Sequence, residues 1–147
     1  MPYTLRKARA EDKKRIEALF IEMLKSIYHT DEVRGYEPGY LDKFFSGGED
    51  WICVAEDGEV AAFLSIEAYR EPDYLYLDDL SVTEACRGRG IGTSLIRAAE
   101  NYAKDGGFSR IVFHVEQANR DAHRLYVRLG YRDDAVQGSR IRMIKSI

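Results

Sequence analysis

Arg87-Gly88-Arg89-Gly90-Ile91-Gly92 lies between an apolar run at 74–82 and a helical pattern at 93–104, so a glycine-rich turn must join a strand to a helix there. Glycines lacking Cβ let successive backbone N–H groups close around an anion, and the helix that follows adds the positive end of its dipole. The segment therefore reads as a phosphate cradle. Two familiar cradles are excluded by the letters. A dinucleotide fingerprint needs G-x-G-x-x-G with an acidic residue about 20 positions on, whereas Gly88-x-Gly90 is followed by Thr93 and Gly90-x-Gly92 by Leu95. A Walker loop needs Gly-Lys-Ser/Thr, and no such string occurs. What remains is R-x-x-G-x-G after a strand.

The pattern around the loop sets the fold class. Residues 3–8 read as a first strand, and Ala10-Glu11-Asp12 as a helix entrance. Ile16, Leu19, Phe20, Met23, Leu24 and Ile27 then recur at helical spacing, a stripe expected to be core. A turn-rich stretch at 30–39 precedes a short helix at 40–45, ended by Gly47-Gly48. Strands at 51–55 and 60–69 are joined by Glu56-Asp57-Gly58-Glu59, a hairpin signal, and the strand at 74–82 follows a turn at Arg70-Glu71-Pro72-Asp73. From there strands and helices alternate: loop, helix to about 104, strand 109–115, helix 119–129, and a closing hairpin of 131–133 and 140–145. Hairpins in front and a crossover helix behind require an α/β chain with a mixed sheet. All 147 residues are expected in a single domain.

Composition narrows the function classes. A net charge of −3 disfavours a nucleic-acid partner. No apolar run approaches the ~20 residues of a membrane span, and the first residues lack the apolar core of a signal peptide, so a cytoplasmic protein is expected. Cys53 and Cys86 lie far apart with no partner at ligand spacing, so neither a disulfide framework nor a metal site is implied. Residues 31–50 hold six acids against Arg34 and Lys43, which suits a cationic partner.

A second signature lies downstream. Asn119-Arg120-Asp121-Ala122-His123-Arg124-Leu125-Tyr126-Val127-Arg128-Leu129-Gly130-Tyr131 is similar to N-x-x-A-x-x-x-Y-x-x-x-G-[FY], and with the R-x-x-G-x-G loop it makes the chain resemble the GNAT family of acyl-CoA N-acyltransferases. That resemblance implies a central mixed, mostly antiparallel sheet flanked by helices, in the order strand, two helices, three strands, helix, strand, helix, two strands. It implies acetyl-CoA as cosubstrate, no metal, and direct attack by a primary amine within a ternary complex. The implied cofactor-binding groups are main-chain groups at a bulge near the strand end, corresponding to Leu80, Ser81 and Val82, then Arg87, Gly88, Arg89, Gly90, Ile91, Gly92 and Thr93 in the cradle, and Asn119 with Tyr126. Arg87 matches the consensus, Arg89 fills a free position, and Cys86 departs from the aromatic often found there.

The chemistry has three needs. The amine must lose a proton, the carbonyl oxygen needs hydrogen-bond donors as it gains charge, and the departing thiolate benefits from a proton. Leu77-Asp78-Asp79-Leu80-Ser81-Val82 is similar to the L-E-D-x-x-V of polyamine-type members, which makes Asp78 the proton acceptor. Strand alternation sends Asp78 and Asp79 to opposite faces, one of them toward the cleft. Resemblance makes Tyr126 the thiolate's proton donor. The acceptor is expected to be a small-molecule or peptide amine, with Glu67, Glu71, Asp73, Asp78 and Asp79 bordering its side of the cleft. A homodimer is left open, and the competing class is a catalytically weak acyl-CoA sensor on the same fold.

Overall fold

The computed structural model describes residues 2–147. In chain order it has β1 (Thr4–Lys7), α1 (Lys13–Tyr28), β2 (Trp51–Asp57), β3 (Glu59–Tyr69), β4 (Tyr74–Val82), α2 (Ile91–Gly106), β5 (Arg110–Glu116), α3 (Arg120–Arg128), β6 (Arg132–Gln137) and β7 (Arg140–Ser146). Short 3-10 helices occupy Ala10–Asp12, Tyr40–Phe45 and Glu84–Cys86. The strands form one seven-stranded sheet in the order β1-β2-β3-β4-β5-β7-β6. Every pairing in it is antiparallel except β4 with β5, the pair that the crossover helix α2 connects.

Each face of the sheet buries a different core. Leu64, Ile66, Leu75, Leu77, Phe113 and Met143 pack under α2, with Tyr126 of α3 and Leu129 just after it against them. Ile52, Val54 and Phe63 pack under Ile16 and Leu19 of α1 and Phe44 of the 3-10 helix. β3 is covered on both faces, which is why its central run reads as unbroken apolar residues rather than an alternation. The expected helix at 40–45 is 3-10, about two turns entered through Gly39 at φ 81°. The apolar stripe of α1 is core only in its first half. Ile16 and Leu19 are fully buried, but Ile27 is 40% and Tyr28 58% exposed, because the second half of α1 borders an open cleft instead of packed side chains.

β4 departs from regular alternation where chemistry was expected. Its register with β3 shifts between Leu64↔Leu80 and Ile66↔Leu77, so Asp78 and Asp79 together oppose Ser65 alone. This is a β-bulge, pinned by the Asp79 N–H donating to the Ser65 hydroxyl at 2.9 Å. A bulge bends its strand and increases the local twist. The parallel pairing of β4 with β5 covers Leu75↔Ile111, Tyr76↔Val112 and Leu77↔Phe113 and ends at the bulge. Beyond it the two strands diverge, β4 paired with β3 and β5 with β7.

A buried carboxylate locks α3 against this frame. Glu100 of α2 is 5% exposed and accepts from Arg97 at 2.8 Å, Tyr131 at 2.9 Å and Lys145 of β7 at 3.0 Å. Lys145 also donates to the Leu129 carbonyl just after α3, at 2.9 Å. Burial alone would raise the Glu100 carboxyl, yet its donors from Arg97, Lys145 and Tyr131 hold it below the usual range. Glu100→Ala should lower stability by about 3 kcal/mol in urea unfolding, because the buried Tyr131 hydroxyl and the partly buried Lys145 ammonium lose their acceptor. The group's folded pKa is depressed, so its contribution is complete above its ordinary 4.5 and disappears as pH falls further; in acid the variant and the parent should converge.

Candidate active site

The divergence of β4 and β5 opens a cleft of about 340 Å³. Asp78, Asp79 and Leu80 line it from β4, His114, Val115 and Glu116 from β5, Asn119 and Tyr126 from the α3 segment, and Met23, Leu24 and Ile27 from α1. Past Leu77, the edge of β4 facing β5 has no neighbouring strand, so its backbone groups are offered to the cleft.

The cradle stands at one end. Gly88 at φ 80° and Gly90 at φ 77° adopt the left-handed conformation that side chains resist, and no atom lies within 4 Å of where a Cβ would project from either. The concavity is therefore open. Gly90 caps α2, and its carbonyl accepts from Ser94 at 3.0 Å, so the N–H groups of Ile91, Gly92 and Thr93 have no intrahelical acceptor. Ile91 is 2% exposed and roots the loop in the core, while Gly92 lies against Leu80, whose Cδ2 would be 3.9 Å from an added Cβ. A diphosphate fits this arrangement of donors and dipole.

The two arginines behave differently from plain phosphate clamps. The Arg87 Nε donates to the Val82 carbonyl at 3.0 Å, with Glu22 3.9 Å from its other end. Arg89 is held by Asp57 of β2 at 2.8 Å and has the Tyr3 ring within 5.7 Å, which ties the loop to the β2–β3 turn. Ser81 is buried, its hydroxyl donating to the Leu19 carbonyl of α1 at 3.0 Å.

Asn119 and Tyr126 flank the cleft from α3. The Asn119 Oδ1 caps the helix by accepting the Ala122 N–H at 3.3 Å, which leaves its amide nitrogen to donate elsewhere. Tyr126 packs edge-on to Phe113 at 4.7 Å between centroids. Its hydroxyl has no hydrogen-bond partner among the described residues, and burial raises its pKa, so it carries its proton at neutral pH.

The acidic end differs most from expectation. The bulge turns both carboxylates toward one aromatic stack, so the opposite-face expectation is wrong: alternation fails where two residues share one partner. Tyr36 donates to the Asp79 Oδ2 at 2.8 Å and Tyr40 to the Asp78 Oδ2 at 2.5 Å. The Tyr36 ring stacks on Phe20 at 3.9 Å and on Tyr40 at 4.9 Å. Desolvation, then the charge of Asp78, pushes the Asp79 pKa up to about 6, with the Tyr36 hydrogen bond acting the other way.

Most other acids expected on this side are engaged elsewhere. Glu67 pairs with Lys43, Asp42 with Lys13, Glu49 with Arg70, and Asp50 accepts the Ala68 N–H. Asp73 holds Ser109 and Arg110. Glu67, Glu71 and Asp73 do not line the cleft. Sequence reasoning missed Tyr36 and Tyr40, whose only signal was two polar-tipped aromatics in a turn-rich segment. His114 does reach the cleft, with one ring nitrogen 2.6 Å from the Tyr76 hydroxyl and the other 2.6 Å from the Gln137 Oε1. No group of three or more His, Cys, Asp or Glu among the described residues could hold a metal ion. No helix of the described residues is long and apolar enough to cross a membrane.

Comparison with known proteins identifies this architecture. The acetyltransferase (GNAT) family model matches residues 13–131. An uncharacterized N-acetyltransferase of Methanocaldococcus jannaschii is 33% identical over 131 residues, covering 88% of this chain and 78% of that protein. The aminoalkylphosphonate N-acetyltransferase of Salmonella typhimurium is 26% identical over 132 residues, covering 87% and 84%. Among solved structures, the PaiA N-acetyltransferase of Thermoplasma acidophilum, in complex with coenzyme A, superposes with a TM-score of 0.83 at 18% identity over 100% of both chains. The chain belongs to the GNAT acetyltransferase family. It is an N-acetyltransferase with acetyl-CoA as donor.

The left-handed glycines give a direct check on the cradle. Gly90→Val should weaken coenzyme A binding by at least ~10-fold, equivalent to ~1.4 kcal/mol, by calorimetry. Gly90→Asn should lose less, since asparagine tolerates this conformation. Unchanged affinity in a folded Gly90→Val variant would remove the cradle from the coenzyme A site.

Proposed function

We propose that the protein transfers the acetyl group of acetyl-CoA to a primary amine by direct attack in a ternary complex. One observation carries the proposal. A protonated hydroxyl without a hydrogen-bond partner among the described residues, Tyr126, and a pair of carboxylates, Asp78 and Asp79, line the same cleft beside the open edge of β4. Acetyl-CoA supplies an activated acyl group on a thiolate leaving group, and its diphosphate suits the donors of Gly88 to Thr93.

The protein groups then have separable tasks. The carboxylate pair draws in the ammonium and accepts its proton, directly or through water, since an amine with a pKa near 10 is otherwise almost fully protonated. Backbone donors of Leu80, Ser81 or Val82 face the carbonyl oxygen as it gains charge. The Asn119 amide holds the pantetheine arm, and Tyr126 donates its proton to the departing sulfur. Direct attack uses no nucleophile from the protein, in keeping with Cys53 being buried and its thiol raised by desolvation to about 11.

The acceptor is a primary amine of modest size. The family spans many amines, and the Salmonella relative is named for aminoalkylphosphonates. A panel of alkylamines, diamines, amino acids, aminophosphonates and lysine peptides, read by thiol release from acetyl-CoA, should find at least one that turns over. Coenzyme A binding with no turnover across the panel would favour a sensor. With the best amine, Tyr126→Phe should lower turnover ~10²-fold while leaving coenzyme A affinity and stability nearly unchanged, since only the hydroxyl is lost. Turnover equal to the parent's would make that hydroxyl structural.

A further inference from the structure

We propose that the two aspartates of the β4 bulge divide the work: Asp79 accepts the ammonium proton and Asp78 anchors the ammonium, the reverse of what the resemblance to polyamine-type members implies. The inference rests on the acetyltransfer reading above and assigns roles within that site. Three features of the geometry carry it. The bulge gives the two residues one shared partner, Ser65, so both carboxylates reach the same stack rather than opposite faces. Each is gripped on a single oxygen, Asp79 by Tyr36 and Asp78 by Tyr40, so each keeps its Oδ1 for an ammonium that has three hydrogens to donate. The enclosure is unequal: Tyr36 is stacked face to face by Phe20 at 3.9 Å and by Tyr40 at 4.9 Å and walls off Asp79 with aromatic carbon, whereas Tyr40 meets Phe44 only edge-on at 6.1 Å and has Lys43 5.1 Å from its ring.

That inequality separates the roles. Two adjacent carboxylates in one desolvated corner resist being charged together, so the more enclosed member takes up a proton most readily. Asp78 is thus suited to hold a cation, and Asp79, with its pKa near 6, to receive a proton and return it to solvent at neutral pH. The groups that bear on Asp79 are Asp78 on its own strand, Glu67 of β3, and Tyr36, Tyr40 and Tyr76, with no cation among them. Lys43, the neighbouring cation, is paired with Glu67 and sits over the Tyr40 and Phe44 rings. The proton balance is simple. The ammonium N–H bond breaks as an Asp79 O–H bond forms, and the freed lone pair attacks the acyl carbon.

Two readouts on the full-length protein test this, the first without any acceptor. Carbon-13 NMR of aspartate carboxyls in the free protein should show a resonance titrating near 6 that vanishes in Asp79→Asn. It should move to lower pH in Asp78→Asn, which removes a like charge, and to higher pH in Tyr36→Phe, which removes a donor to the ionised form. The acid limb of kcat/KM, with the most active amine of the panel, should follow the same directions. Asp79→Asn should cost at least ~10²-fold in kcat and lose the limb, while Asp78→Asn should raise the amine KM ~10-fold and change kcat only a few-fold. Calorimetry of coenzyme A verifies that each variant is folded. The division is overturned if Asp78→Asn abolishes the limb while Asp79→Asn keeps it, or if no aspartate titrates near 6. Turnover of no amine would sink the acetyltransfer reading instead, and the carboxyl titration would still decide which aspartate holds the proton.

Discussion

The site depends on one interrupted pairing. Parallel strands β4 and β5 hold together for three residue pairs and then part, and the parting falls at the bulge where Asp78 and Asp79 share Ser65. An unpaired strand edge inside a domain carries unsatisfied backbone groups, and such an edge persists when something else completes it. On the function proposed above, the pantetheine arm of acetyl-CoA takes the place of the missing neighbour. The same bulge that ends the ladder also turns the acids to one side, so on that reading binding and proton transfer have a common structural origin.

Charge is arranged along β4 so that each end of the cleft suits a different partner. Beyond the C-terminal end of the strand, left-handed glycines and the start of α2 offer N–H groups and a positive dipole. In its middle stand two carboxylates with tyrosine donors but no cation paired to either among the described residues. On the proposed function an anionic donor molecule is drawn to the glycine end and an ammonium to the carboxylates, which orients the two before they meet. The remaining acids of residues 42–50 serve structure, Asp42 on Lys13, Glu49 on Arg70 and Asp50 on the Ala68 N–H.

What the sequence revealed follows from how local its causes are. The β2–β3 hairpin, the cradle, α2 and α3 were legible because turn residues, glycines and helical spacing act within a few positions. A bulge was expected from the resemblance alone, near Leu80 to Val82; its place at Asp78-Asp79 was not legible, because that pair reads as ordinary alternation and only the register against Ser65 creates the extra residue. Tyr36 and Tyr40 were missed for the same reason: they lie 43 and 38 positions in sequence from the aspartates they hold. The stripe of α1 was read as core throughout, since helical spacing shows which residues share a face but not that half of that face borders a cleft.

The most direct measurement of the central claim follows backbone amides as coenzyme A is added. The account predicts that two-dimensional NMR will show the largest shifts at Leu80, Val82, Ile91, Gly92 and Thr93, with β6 and the outer strand β1 undisturbed. Shifts confined to the surface around Lys25 and Arg87, with the amides of β4 unmoved, would contradict the view that the open edge of β4 receives the ligand.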